Sequence, residues 1–208
     1  ADITPFKKWY IKNIEFSNFL SFGDKQVLDF EKVEGITAVE SNPPNFGGKT
    51  VLTVDLLLFL FFNTTTKTNK AEEIFNRFRN KDKVVVKGEI QIDGEDYIIV
   101  REVNRKLKRN KTDYTVSTSL EFFKKLSDGS LQNFTGEQRR ETEEFIKKSI
   151  GTMDDFLMTI LTTSTNLEEL IDSKPTARGQ VLSRFLGLDS LKLKEDVAKE
   201  ITSNYSKG

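Results

Sequence analysis

The residues best suited to chemistry lie together at Asn45-Phe46-Gly47-Gly48-Lys49-Thr50-Val51. Glycines let backbone N–H groups turn inward on a phosphate with no Cβ in the way. A lysine directly after them can reach the β- and γ-phosphates of a nucleotide, and a threonine hydroxyl beside it can ligate magnesium. Such a loop needs a strand to lead into it and a helix to leave it. Both are legible here. Ile36-Thr37-Ala38-Val39-Glu40 is a short β-branched run. Residues 51–62 are apolar at all but two positions, Thr53 and Asp55. A helix there would aim the positive end of its dipole at the same anion. The match has one departure. Pro43 stands where the usual pattern has its first glycine, and proline has a fixed φ and no N–H. The loop is then longer than usual, with Ser41 near its opening turn. The competing reading is a Gly-Gly turn ahead of a core helix, and the flanking strand and helix weigh against it.

Composition sets limits. Lys+Arg and Asp+Glu both number 32, so net charge points to no partner and any basic surface is local. The chain has no cysteine and no histidine. Disulfides, Cys/His zinc sites and histidine acid–base chemistry are therefore excluded. A cysteine-free chain fits a reducing compartment, and a cytoplasmic location is expected. Residues 1–12 lack the apolar core of a signal peptide. The longest apolar run, 56–62, is far short of the roughly 20 residues that span a bilayer, so no membrane is expected.

Along the chain, 9–19 reads as a strand, and 26–30 as a second one after the Gly23-Asp24 turn. The third is 36–40, and 50–62 is a buried helix. A short helix is expected around 71–78. The period then switches to two. Val84, Val86, Ile90 and Ile92 share one face, and Lys87, Glu89 and Gln91 the other. Asp93-Gly94 and Asp128-Gly129 are hairpin signals. They join an antiparallel meander that runs to Phe134, with one wet face. Thr135 and Gln138 form a capping box for a helix to Ile150, stopped by Gly151. Thr152 with Asp155 opens a further apolar segment. Ser173 caps a helix that carries Pro175 in its first turn. In a last helix from Asp189, Leu193, Val197, Ile201 and Tyr205 recur every four residues. That stripe suits either the start of a coiled coil or an ordinary terminal helix.

Taken together, these motifs resemble a family. Ile14-Glu15-Phe16-Ser17-Asn18-Phe19-Leu20-Ser21-Phe22-Gly23 resembles the opening strand of SMC-like ATPase heads. The run Gly35–Val39, followed by Asn45–Thr50, resembles their phosphate loop. Ser173-Lys174-Pro175-Thr176-Ala177-Arg178, followed by Gly187-Leu188, is similar to SbcC-type proteins, the ATPase partners of SbcD or Mre-eleven-like nucleases. The motif order matches over roughly 9–205.

The resemblance implies an α/β P-loop NTPase of the ABC/SMC head type. Its sheet would be mixed, with the meander beside it and a helical lobe after it. The implied domains are a nucleotide-binding lobe over 1–134, a helical lobe over 135–187 and the start of a coiled coil over 188–208. ATP and magnesium are the implied cofactors. The implied partners are the C-terminal segment of the same head, a second head in a homodimer, the nuclease and DNA. Neither a Leu-Ser-Gly-Gly-like signature nor an apolar run ending in Asp-Glu is present, and both belong to the other segment in that family. Where the family carries a magnesium-sensing glutamine, this chain has Ser164, with Asn166 nearby, so Ser164 is the second expected metal residue. Pro43 and Ser164 keep a second reading open, in which a degenerate loop leaves a non-catalytic module that binds DNA or a partner. A nucleotide kinase or GTPase is disfavoured, because those folds continue with βαβ units after the loop.

One other cluster stands out. Arg105, Lys106, Lys108, Arg109 and Lys111 put five cations into seven residues with no acid among them. They are expected on an exposed loop that neutralises DNA phosphates, or else on a solvated hairpin tip. The adjacent acids Asp154-Asp155 and Glu168-Glu169 do not face each other on a helix and read as surface charge.

Overall fold

In a computed structural model, the described residues are 8–42, 48–109, 113–137, 139–153, 156–157, 171–172, 174–176, 179, 195, 198–199 and 202. The chain divides into two compact units. One is Lys8–Ser149, and the other joins Ala1–Lys7 with Ile150–Gly208.

The first unit is built on one six-stranded sheet. Its strands are β1 (Trp9–Ser17), β2 (Gln26–Asp29), β3 (Lys83–Ile92), β4 (Glu95–Leu107), β5 (Tyr114–Lys125) and β6 (Leu131–Asn133), in the order β2-β1-β3-β4-β5-β6. Every pairing is antiparallel. The meander expected from the sequence is β3 to β6. Asp93 and Gly94 close its first hairpin with φ of 51° and 84°, the backbone that a two-residue primed turn requires. Gly129 closes the second turn at φ 82°, where Asp128 Oδ1 accepts from the Ser130 N–H at 2.9 Å.

Helix α1 (Leu56–Phe62) follows a π-helical turn, Val51–Asp55. It packs on β3 and β4. Leu56, Phe59 and Leu60 are fully buried, as are Val84, Val86, Ile90, Ile99 and Val103 of the sheet. The alternation read from the sequence thus places the core on the predicted face. Helix α2 (Arg139–Ile150) covers the same face. Its Phe145 ring packs on Phe122 at 5.0 Å, and Phe122 stacks on Tyr97 at 5.2 Å.

The opposite face is wet and ion-paired. Lys12 bonds Asp96 at 2.8 Å, and Lys125 bonds Glu89 at 2.7 Å. The β1–β3 register shifts between Ile11 and Asn13. There Lys12 and Asn13, though sequence neighbours, both reach wet-face carboxylates, those of Asp96 and Glu89.

Several expectations change. Residues 36–40 pair with no strand among the described residues. Ile36 is 106% exposed, because no strand lies beside it to cover the run. The described sheet is therefore antiparallel throughout, not mixed. The helix expected at 71–78 is a single 3-10 turn, Ala71–Glu73. Thr135 is not the helix cap. Its Oγ accepts from the Phe122 N–H at 2.9 Å and so extends the β5 edge, while α2 begins at Arg139. The stop at Gly151 stands, with φ 102°. In the second unit, the Phe156 N–H donates to Thr152 O at 2.9 Å, a helical turn at the place the sequence indicated. Ser173, Gln138 and all four stripe residues, Leu193, Val197, Ile201 and Tyr205, lie outside the described residues. No helix among the described residues is long and apolar enough to cross a membrane.

Candidate phosphate-binding site

Gly48 is the hinge of the site. Its φ is 66°, a region that a residue with a Cβ enters only at a cost. A Cβ there would stand 2.6 Å from Ser21 Oγ and 2.9 Å from the Phe22 ring. The segment after β1 is therefore the back wall of the loop, and only glycine fits against it. That wall is itself fixed. Asn18 and Leu20 have φ of 56° and 47°, and strain of this kind persists only where the surroundings over-determine it. The Leu20 N–H donates to Ile74 O at 2.8 Å, and Asn76 Nδ2 donates to Leu20 O at 2.8 Å. The buried Asn18 donates from Nδ2 to the carbonyls of Lys81 and Lys83, at 3.2 and 3.0 Å.

Lys49 and Thr50 form the first helical turn after Gly48. Lys49 Nζ donates to Ser41 Oγ at 3.3 Å, and among the described residues it makes no ion pair. Among the described residues the ammonium charge thus has no carboxylate partner, as an anion-binding lysine requires. Thr50 is exposed, so its hydroxyl is open to a ligand. Val51 is fully buried and anchors this end in the core. The Leu56 N–H bonds Val51 O, five residues back, which makes the first turn wide; π-bulges of this sort occur often at functional sites. Asp55 lies inside the same turn, fully buried. Its Oδ1 accepts from the Thr66 N–H at 2.7 Å and from the Thr66 hydroxyl at 2.8 Å. The helix is thereby tied to the polar stretch that follows it.

The far end of α1 is held from the sheet. Arg101 of β4 is buried and donates to the carbonyls of Leu60 and Phe61 at 2.7 and 3.0 Å. Burial pushes its pKa down to about 10, and the nearby Glu143 carboxylate, 3.6 Å away, opposes the fall.

Gly48, Lys49, Thr50 and Val51, consecutive in sequence, lead into the buried helix. Asn45, Phe46 and Gly47 lie outside the described residues, as do Ser164 and Lys111. Ser21, Phe22 and Arg101 were missed as site residues. Ser21 and Phe22 are remote in sequence from the loop, and only the return of the chain beside β1 joins them to it.

The basic cluster is not simply a loop. Arg105 and Lys106 are the end of β4, and Lys108 and Arg109 lie in the turn after it. The reason is pairing: Arg105 and Lys106 stand opposite Val116 and Thr115 of β5. Lys106, Lys108 and Arg109 are exposed. Arg105 is largely covered and bonds Asp82 at 3.0 Å. Among the described residues no cluster of three or more acids could hold a metal by itself. A magnesium ion would need the nucleotide's own oxygens beside Thr50.

No protein-family model matches this chain. Two curated proteins are similar along nearly all of it. The DNA double-strand break repair Rad50 ATPase of Thermoplasma acidophilum is 24% identical over 200 residues, which are 95% of this chain and 20% of that protein. The uncharacterized protein R555 of Acanthamoeba polyphaga mimivirus is 24% identical over 201 residues, 95% of this chain and 14% of that protein. The chain therefore spans a fifth or less of the length of either relative. Among solved structures, the recombination mediator RecF bound to ATP aligns with a TM-score of 0.40 at 16% identity, over 91% of this chain and 44% of that one. RecF with an ATP analogue aligns at 0.38 and 17%, over 80% and 38%. The chain is distantly similar in sequence to a DNA repair ATPase.

Proposed function

We propose that this chain is the first segment of the ATP-binding head of a DNA repair or recombination ATPase. The observation that carries the reading is the junction at Gly48. A left-handed glycine, closed from behind by Ser21 and Phe22, delivers a lysine with no ion pair among the described residues and an exposed threonine to the start of a buried helix. Asn45–Val51 would cradle the phosphates, Lys49 would bind the β- and γ-phosphates, and Thr50 would ligate magnesium, with Ser164 as its second contact. The magnesium would neutralise phosphate charge when bound. The 24% similarity to a Rad50 ATPase over 95% of the chain supports the class.

The extended run 36–40, with Ile36 and Val39 exposed, suits a strand contributed by the complementary C-terminal segment of the head. A second head closing over ATP, an SbcD or Mre-eleven-like nuclease and DNA complete the proposed partners, with the coiled coil beginning after 188. Lys106, Lys108, Arg109 and Lys111 would meet DNA phosphates.

Isothermal titration with a non-hydrolysable ATP analogue and magnesium tests the nucleotide site. Binding that vanishes in Lys49→Ala supports it, and no binding by the native chain rejects it. The second reading, a non-catalytic module, is favoured by Pro43, whose missing N–H weakens the cradle, and by Ser164.

A further inference from the structure

Beside the basic end of β4 lies an open cleft of about 490 Å³. Three observations give it a specific chemistry. The first is a stack. The Arg105 guanidinium lies 4.8 Å from the centre of the Phe75 ring and 4.8 Å from that of Tyr114. Arg105 Nε donates to Asp82 Oδ1 at 3.0 Å, and its Nη2 donates to Asn80 Oδ1 at 3.4 Å. Cation and rings are therefore fixed in one wall.

The second observation is Phe78. It is 92% exposed, beside Arg77 and Arg79. The exposure is built in. Asn76 is buried, accepts from the Phe78 N–H through Oδ1 at 3.0 Å, and is anchored to Leu20. The backbone at Phe78 is held in place, and the exposed ring is among the residues that line the cleft.

The third is the distribution of charge. Arg77, Arg79 and Arg105 line the cleft together with Glu72 and Glu73, and the exposed Lys106, Lys108 and Arg109 follow Arg105 in the chain. Glu73 is engaged by Thr68 and Lys70, so the exposed cations are what this region offers a polyanion.

An uncovered ring beside exposed cations suits a strand whose bases are unpaired. A base stacks on the ring while the phosphates follow the cations. A duplex keeps its bases stacked on one another, so seating one against Phe78 costs the unstacking of a base step, which a single strand does not pay. We propose that this cleft seats an unpaired base of single-stranded DNA against Phe78, with the strand's phosphates running along Arg77, Lys106 and Lys108. It rests on the functional reading above only for DNA as the polymer, and it does not need a working phosphate loop.

Fluorescence anisotropy of the 208-residue chain with a labelled thymine oligomer of about 12 nucleotides, and with a duplex of equal length, tests it. Phe78→Ala should weaken binding of the single strand roughly tenfold. It should leave duplex binding unchanged, and Phe78→Trp should restore the loss. The ring is on the surface, so equal melting temperatures will confirm that the fold is kept. Arg77→Ser should lower single-strand affinity and its salt dependence together. Lys49→Ala should alter neither, which separates this site from the nucleotide site. Single-strand affinity unchanged in Phe78→Ala, or an equal loss for duplex, overturns the proposal.

Discussion

Arg101 Nε donates to the carbonyl oxygen of Leu60 at 2.7 Å, so a sheet side chain satisfies the last turn of the helix that leaves the phosphate loop. The carbonyls of a helix C-terminus have no partner within the helix, and buried ones need an outside donor. Arg101 supplies two bonds, and Glu143 of α2 offsets its buried charge. Arg101→Ala should destabilise the fold by about 2–4 kcal/mol, from two orphaned carbonyls and lost packing. Urea denaturation reads the change. A loss within about 0.5 kcal/mol would mean that α1 does not depend on this cap.

A second relationship checks how α1 sits on the sheet. A Cβ at Gly88 would stand 2.4 Å from Leu60 Cδ2. Gly88→Ala should cost about 1–3 kcal/mol by overpacking. Leu60→Ala should cost about 2–5 kcal/mol by leaving a cavity. The double variant should cost less than the sum by at least about 0.5 kcal/mol, since the new methyl occupies space that the leucine vacates. Additive losses would show that the two residues do not touch.

The wet face predicts a response to acid. The hydrogen bond from Lys125 holds Glu89 below its ordinary value, with Asn13 adding to it against the opposing effect of burial. Burial pushes Asp96 up, but the bonds from Lys12 and Gln91 win and leave it lowered. A carboxylate with a lowered folded pKa stabilises the fold above its unfolded value, and that stability is lost as pH falls through the folded value. The loss should therefore begin near the ordinary values of 4.5 for Glu89 and 3.8 for Asp96 and continue below them. Thermal melts between about pH 6 and pH 2 should show it, and Glu89→Gln should flatten the slope. An unchanged slope would assign the acid response to other groups.

The meander was legible because its signals are local. Two Asp-Gly turns and a period of two need no knowledge of the rest of the chain. The start of the proposed phosphate site is a contiguous motif for the same reason, since Gly48, Lys49 and Thr50 are neighbours in sequence. Its back wall was not, because Ser21 meets Gly48 only once β1 is in the sheet. Arg101 shows the same limit from the other side. In the alternation of β4 it occupies a core position, and pattern alone gives no cause for a charge there. The run 36–40 has strand composition, yet β-propensity describes a fit to neighbours, and no neighbour is supplied. The exposure of Phe78 follows from a buried asparagine two residues earlier, a contact that composition cannot reveal.

The last prediction concerns turnover. Phosphoryl transfer to water needs a phosphate cradle, a metal, and a group that positions the attacking water. Around Gly48 this chain offers Lys49 for the first and Thr50 for the second. The third has no evident source. The sequence has no histidine. Asp55, the acid nearest the loop in the helix, is buried and bonded to Thr66, so it is engaged in holding the fold. Binding that holds the ground state and the transition state alike does not speed the chemistry. The purified 208-residue chain should therefore bind a magnesium nucleotide without steady hydrolysis. Mixing it with a complementary segment that carries the missing acid should raise phosphate release by at least about tenfold, a barrier change of about 1.4 kcal/mol. Lys49→Ala should remove the gain. A phosphate-release assay decides the matter. Steady hydrolysis by the chain alone, lost in Lys49→Ala, would show that the site is complete within these residues and that the half-head reading is wrong.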